Sequence, residues 1–181
     1  MNKLDLSDNK NRLLPKMLTL QAQQAGNTEF LITDERRLTF AQAEQETNAL
    51  AAGLADLGVG KGDRVAFYLD SSIDIVLIAL ATNKLGAIWI PINTDYKGVW
   101  LSETIERSRC KVLITEAALQ DRIQEAAAAL KNEKLVVIGA ENEISLPGAT
   151  SFDALRDHSP LVPNYDDMYF GDTCAVLWTS G

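Results

Sequence analysis

The sequence predicts an α/β fold in which a parallel sheet carries helices on both faces. Three observations lead there. Five short runs from Arg64 onward, at residues 64–69, 87–91, 112–115, 135–138 and 173–178, read as strands. They are apolar almost throughout instead of alternating, the pattern of strands buried on both sides. Stretches of helical length lie between most of them, which supplies the crossovers that parallel strands need.

The elements follow in order. Residues 11–25 suit a helix with Pro15 in its first turn, where a missing N–H costs nothing, and Gly26-Asn27 stops it. Residues 30–33 read as a strand and residues 34–37 as a polar turn. Thr39 and Gln42 have the spacing of a capping box, hydroxyl to backbone N–H and amide back to the cap. Phe40, Ala43, Thr47, Leu50, Leu54 and Leu57 then recur on one helical face, and Gly58 stands where a left-handed cap belongs. After the strand at 64–69, Asp70 or Ser71 offers a cap for a helix over about 73–85, ended by Gly86. Helices are expected at 98–108 and, from its alanine content, at 116–131. Residues 139–150 read as a loop, Ser151 as the cap of a short helix to Asp157, and residues 160–171 as an irregular connection. The last strand, 173–178, runs directly into Thr179-Ser180-Gly181. Residues 1–60 thus form a helical lead-in with a short strand region, and residues 61–181 a βα-alternating subdomain. No internal repeat or low-complexity tract appears.

Composition sets limits. A chain of 181 residues, 46% hydrophobic and 23% charged, has room for one domain or slightly more. Its formal net charge of −8 argues against a nucleic-acid partner, which needs clustered Lys and Arg. It leaves a mononucleotide open, because such sites rely on backbone N–H groups and single lysines. Cys110 and Cys174 match no metal spacing and read as buried core fillers. The start lacks the basic and apolar regions of a signal peptide, and the longest apolar run, 75–81, is too short to span a bilayer. A cytoplasmic protein without a membrane span is expected.

In open α/β sheets ligands bind beyond the carboxyl ends of the strands. The loops after Leu69, Pro91, Thr115, Ile138 and Trp178 are therefore the candidates. Gly58-Val59-Gly60-Lys61-Gly62-Asp63 is glycine-rich but lies between a helix and a strand, the reverse of a phosphate loop, and reads as a cap and turn. Thr179, Ser180 and Gly181 have the right polarity: small hydroxyl residues and a glycine directly after an apolar strand. On local chemistry, an ordinary strand-ending turn and a phosphate-binding loop both fit. Trp178 suits site shaping or core packing equally. His158 reads as a surface or capping residue, Asp70-Ser71-Ser72 as helix capping, Glu141 and Glu143 as solvated, and Asp166-Asp167 as lacking a metal pattern. No catalytic residue and no metal ligand is assigned.

Four segments together carry a family resemblance. Asp172-Thr173-Cys174-Ala175-Val176-Leu177-Trp178-Thr179-Ser180-Gly181 resembles the opening of the signature loop of the adenylate-forming (AMP-binding) superfamily. Leu38-Thr39-Phe40-Ala41-Gln42-Ala43 resembles its early Leu-Thr-Tyr helix start. Gly58 to Val65 resembles its Gly-x-x-Gly-Asp-Arg-Val connection. Asn83-Lys84-Leu85-Gly86-Ala87-Ile88-Trp89-Ile90-Pro91-Ile92-Asn93 resembles its Lys-x-Gly-Ala segment with a following Pro. They occur in the family's order from about residue 10 to the end. Residues 91–98 look more like the acyl-CoA synthetase branch, including carnitine/crotonobetaine-type CoA ligases, than like amino-acid-activating domains.

The resemblance implies a Rossmann-like sheet in the large amino-terminal domain of such an enzyme, with Thr179, Ser180 and Gly181 opening the phosphate-binding loop. It implies ATP, Mg²⁺ and CoA as cofactors of the full-length parent and a carboxylic acid, as in fatty acid metabolism, as substrate. The acid would form an acyl-adenylate and pass to CoA. The remaining loop, the adenine and metal sites and the mobile last domain lie beyond Gly181 in the family. This chain alone is therefore expected to be inactive, to bind none of these tightly, and to need the missing carboxy-terminal sequence as its partner. The lead-in is expected to leave apolar surface exposed and to favour self-association. The competing readings are a non-catalytic doubly wound binding or interaction module and another adenylate-forming enzyme such as an amino-acid-activating domain.

Overall fold

The computed structural model describes residues 5–131 and 133–178. Helix α1 (Leu14–Ala25) carries Pro15 in its first turn, and strands β1 (Glu29–Ile32) and β2 (Arg37–Thr39) form an antiparallel hairpin. The expected capping box starts α2 (Phe40–Asp56): Gln42 N–H donates to Thr39 Oγ1 at 3.3 Å, and Thr39 N–H donates to Gln42 Oε1 at 2.9 Å. Ala43, Thr47, Leu50 and Leu54 of the expected face are buried, Phe40 and Leu57 half-buried. Gly58 adopts φ +89°, the left-handed cap that a side chain disfavours.

The sheet is then built by β3 (Arg64–Tyr68), α3 (Ile73–Lys84), β4 (Ile88–Pro91), α4 (Gly98–Ser108) and β5 (Val112–Glu116). Helix α5 (Gln120–Glu125), β6 (Lys134–Ile138), β7 (Thr150–Ser151) and α6 (Phe152–Arg156) complete it. All neighbours are parallel, in the order β4-β3-β5-β6-β7. Alternate residues of β3 enter two separate cores. Val65 and Phe67 pack with Leu50, Leu54, Leu77 and Leu155 from α2, α3 and α6. Ala66 and Tyr68 pack with Leu101, Ile105 and Ile123 from α4 and α5. The two cores realise the fold class read from the apolar strands.

The chain enters the sheet at β3, steps to β4 on one side, then crosses to β5 on the other. From the adjacent strands β3 and β5 it leaves toward opposite faces, to α3 and α5. That divergence opens the sheet at their carboxyl ends, where doubly wound folds bind ligands.

Four local expectations are corrected. The alanine-rich stretch 116–131 is not one helix: 3₁₀ turns at Ala117–Leu119 and Ala127–Ala129 flank the six residues of α5. Ala126 and Ala129 are buried against α4, and fitting them there overrides alanine's helix propensity. Residues 139–150 are not all loop, since Thr150 pairs with Val136 to begin β7. Residues 173–178 do not form a full sheet strand: the segment is extended but bridges β4 only at Ala175, opposite Trp89. Lying at that edge, Cys174 is exposed, not buried as Cys110 is.

Candidate functional site

A cleft of about 910 Å³ opens at the carboxyl ends of β3 and β4. Phe67 and Trp89, stacked with ring centroids 6.0 Å apart, form its inner wall. Asp70, Ser71 and Thr94 come from the loops that follow the two strands, and Leu177 and Trp178 from the edge segment. The walls are aromatic and aliphatic and a few polar groups converge at the rim, as in small-molecule sites.

The rim loop after β4 is held by a network around Tyr68. Its hydroxyl lies 2.8 Å from the Tyr96 carbonyl and 3.0 Å from that of Thr94, and it accepts from the Arg122 guanidinium at 3.0 Å. Arg122 also donates to the Thr94 carbonyl at 2.7 Å. The Tyr68 hydrogen bond is the main cause that raises the Arg122 pKa above the ordinary arginine value, so the cation is permanent. From the opposite side the Thr94 hydroxyl donates to Asp70 Oδ1 at 2.8 Å. Asp70 therefore does not cap α3. Ser72 occupies the cap position without a side-chain hydrogen bond, and Asp70 instead joins the loops after β3 and β4. Glu116, at the end of β5, accepts from the Asp70 N–H at 3.4 Å and extends the link across the switch point.

The edge segment reaches the cleft under three polar ties. Trp89 N–H donates to the Cys174 carbonyl at 3.1 Å and Val176 N–H to the Trp89 carbonyl at 3.1 Å. The Asn83 amide donates to the same Cys174 carbonyl at 2.9 Å. Trp178 is half-buried and lines the cleft, and its buried indole N–H has no hydrogen-bond partner. Thr179, Ser180 and Gly181, the expected phosphate-binding residues, lie outside the described residues.

The segment that sequence reading matched at Lys84 is structural. The Lys84 side chain is fully buried, and its ammonium donates to Glu44 Oε2 and Asn48 Oδ1, both at 2.7 Å. Thr19 Oγ1 donates to Glu44 Oε1 at 2.9 Å and lies 3.0 Å from the Tyr165 hydroxyl. Burial lowers the Lys84 pKa, with Glu44 opposing the shift. Burial likewise pushes Tyr165 up to about 12.

The remaining candidates fall elsewhere. Gly58 to Asp63 is a turn: the Asp63 carboxylate accepts from Gly60 N–H at 2.9 Å and from Lys111 at 2.8 Å, which lowers its pKa. His158 Nδ1 lies 3.0 Å from the Ala154 carbonyl, at the end of α6, in its expected capping place. Glu143 is more than solvated, since it accepts from Ala140 N–H at 3.0 Å. Among the described residues, no group of three or more His, Cys, Asp and Glu could hold a metal ion, Asp166 and Asp167 included. Sequence reading gave Tyr68, Thr94, Arg122 and Asn83 no role of their own: apart from the Asn83 bond to Ala87, the contacts described here join residues 24 to 91 apart and carry no local signal.

Comparison with known proteins agrees with this geometry. The chain is 34% identical over 163 residues to a medium/long-chain-fatty-acid–CoA/3-oxocholest-4-en-26-oate–CoA ligase of Mycobacterium marinum, covering 83% of this chain and 28% of that protein. It is 26% identical over 151 residues to tyrocidine synthase 2 of Brevibacillus parabrevis, 83% of this chain and 4% of that one. The solved structure of the anthranilate CoA ligase AuaEII with anthranoyl-AMP superposes with a TM-score of 0.84 at 27% identity, over 92% of this chain and 32% of that one. The chain thus spans roughly a quarter to a third of the length of these CoA ligases. The family profile described as AMP-binding enzyme matches residues 18–181. This chain belongs to the AMP-binding enzyme family, with the α/β architecture of its adenylate-forming CoA ligases.

Proposed function

We propose that the chain is the front part of the nucleotide-binding domain of an ATP-dependent acid–thiol ligase. The enzyme joins a carboxylic acid to AMP with loss of pyrophosphate, then passes the acyl group to the CoA thiol with loss of AMP. Thr179, Ser180 and Gly181 open the loop whose backbone N–H groups receive the phosphates. The observation that carries this reading is the course of the edge segment. It runs parallel to β4, is tied there at Cys174 and Val176, and brings the chain at Trp178 to the cleft beyond the strand ends.

Among the described residues, no group of three or more His, Cys, Asp and Glu is placed to hold Mg²⁺. The cleft's own residues hold the rim loop and present aromatic walls. In this reading the 181 residues alone form no acyl-adenylate and bind ATP and CoA weakly, because they span only 28% of the M. marinum relative. The likeness to tyrocidine synthase 2 supports a second reading, in which the acid is an amino acid.

The test is pyrophosphate release with ATP, Mg²⁺ and a panel of fatty, aromatic and amino acids. It compares this chain with the longest polypeptide that its reading frame encodes. The longer polypeptide is expected to turn over, CoA-dependently, and this chain to be silent. Turnover by the chain alone would overturn its inactivity. ATP binding without turnover by either polypeptide would favour a non-catalytic module. Release with amino acids but without CoA dependence would move the enzyme to the second reading. Among the described residues, no helix is long and apolar enough to cross a membrane.

A further inference from the structure

We infer that Asn83 is a positioning residue for the loop opened by Thr179, acting through the backbone of the segment that leads into it. This rests on the nucleotide-loop reading above. Asn83 stands in the last turn of α3, 6% exposed, with its amide turned inward. One N–H bond of the amide goes to the Ala87 carbonyl at 3.0 Å, just before β4, and the other to the Cys174 carbonyl at 2.9 Å. Cys174 accepts a second bond from Trp89 N–H at 3.1 Å, so both lone pairs of its carbonyl are used.

The edge segment depends on this tie more than an ordinary strand would. It pairs with β4 through one bridge and two backbone hydrogen bonds, and Cys174 and Leu177 stay exposed. Other neighbours act earlier in the chain: Lys61 pairs with Asp172 at 3.3 Å, and Asp172 accepts from Tyr169 N–H at 3.0 Å. Both contacts are solvent-exposed and so contribute little. Beside the packing of Val176 and Trp178 against the core, Asn83 supplies a buried side-chain hydrogen bond to residues 173–178, and because it also holds Ala87, it sets the edge segment in register with β4. Only an amide suits this place. A carboxylate of the same size would face two carbonyl oxygens with no hydrogen to give, and a lysine or arginine would bring an unpaired buried charge.

Hydrogen exchange of the chain, read at the Trp89 and Val176 amides, tests the tie without reference to activity. Asn83→Asp should speed exchange at both by about tenfold or more, through local opening of the edge, while amides of β5 and β6 keep their protection. Asn83→Ser, neutral and too short to reach either carbonyl, should do the same and serves if the Asp variant does not fold. Unchanged exchange at Trp89 and Val176 in a folded variant overturns the inference. In the longer polypeptide, Asn83→Ser should raise KM for ATP severalfold and by more than KM for the acid, since the segment runs on into the phosphate loop and lends the cleft only Leu177 and Trp178. Equal ATP KM for variant and wild type would also overturn it. If the wild-type polypeptide shows no ATP-dependent reaction, the ligase reading fails, and the exchange experiment still decides whether Asn83 holds the segment.

Discussion

The ammonium of Lys84 and the carboxylate of Glu44 meet at 2.7 Å with the lysine side chain wholly removed from water. A lysine in the last turn of a helix ordinarily reaches outward and complements the helix dipole. Here it points into the contact between α3 and α2, and Asn48 and Thr19 complete the shell. A buried pair of this kind is expensive to form and more expensive to break, because the surviving partner keeps a desolvated charge. Lys84→Met should therefore lower stability by about 3 kcal/mol, leaving Glu44 Oε2 and Asn48 Oδ1 without their donor. Glu44→Gln retains acceptors for Lys84 and should cost less. Urea unfolding midpoints of the two variants provide the comparison, and equal, small losses would contradict it.

The same network predicts an alkaline signature. Lys84 has its pKa lowered from 10.5, so the unfolded chain binds the extra proton, and this group alone makes stability rise as pH climbs toward that value. Tyr165 acts in the opposite sense. Its pKa is raised from 10.0 to about 12, so the folded state keeps the phenol proton longer, and stability falls as pH rises through that window. The loss is on the order of 2 kcal/mol if the Thr19 contact persists. Ultraviolet titration should show a late tyrosine ionisation, and Tyr165→Phe should abolish that late step. The variant's stability should then decline less between pH 10 and about 12.

Gly53 tests how closely α2 meets α6. A Cβ built at residue 53 would lie 2.6 Å from the Leu155 carbonyl oxygen and 2.8 Å from its Cα. Both are backbone atoms, which cannot yield by a change of rotamer. Alanine would gain up to about 1 kcal/mol of helix propensity, but forcing two packed backbones apart costs about 1–3 kcal/mol. The clash should win, and Gly53→Ala should lower the melting temperature. A higher melting temperature would show that α6 can move away.

What could be read from the sequence follows from the range of the forces involved. The capping box at Thr39 and Gln42, the two-sided burial of β3 and the left-handed Gly58 depend on neighbours within a few residues. Each was legible. The break at Ala126 was not, because alanine favours a helix locally and loses only when Ala126 and Ala129 must fit against α4. Two residues, Thr150 and Ser151, have no periodicity to show, and their strand exists only by register with β6. At the site, the edge segment was legible as apolar and extended. Its single bridge and exposed Cys174 depend on which side of β4 it lands. Lys84 was recognised as part of a motif, but its partner Glu44 stands 40 residues earlier, so its burial left no mark in its own segment.

The rim of the cleft gives the last prediction. The Tyr68 hydroxyl touches three groups at once: the Thr94 and Tyr96 carbonyls and the Arg122 guanidinium. Tyr68 is fully buried, so Tyr68→Phe keeps the ring in its core while removing those contacts. Two carbonyls and a cation lose a partner, but Arg122 still donates to Thr94 and is itself near water. The global cost should therefore stay near the lower end of about 1–3 kcal/mol for lost buried partners. The local effect should be larger. The Thr94 hydroxyl still binds Asp70, yet the loop between Pro91 and Lys97 loses the tie at Tyr96. Amide exchange at the Tyr96 N–H, which donates to the Asn93 carbonyl at 3.0 Å, should accelerate more than exchange in β5. Arg122→Lys should reproduce part of this, since one ammonium cannot present the guanidinium's planar fork to Tyr68 and Thr94 together. If both variants leave the loop as protected as wild type, Asp70 and Thr94 alone hold the rim.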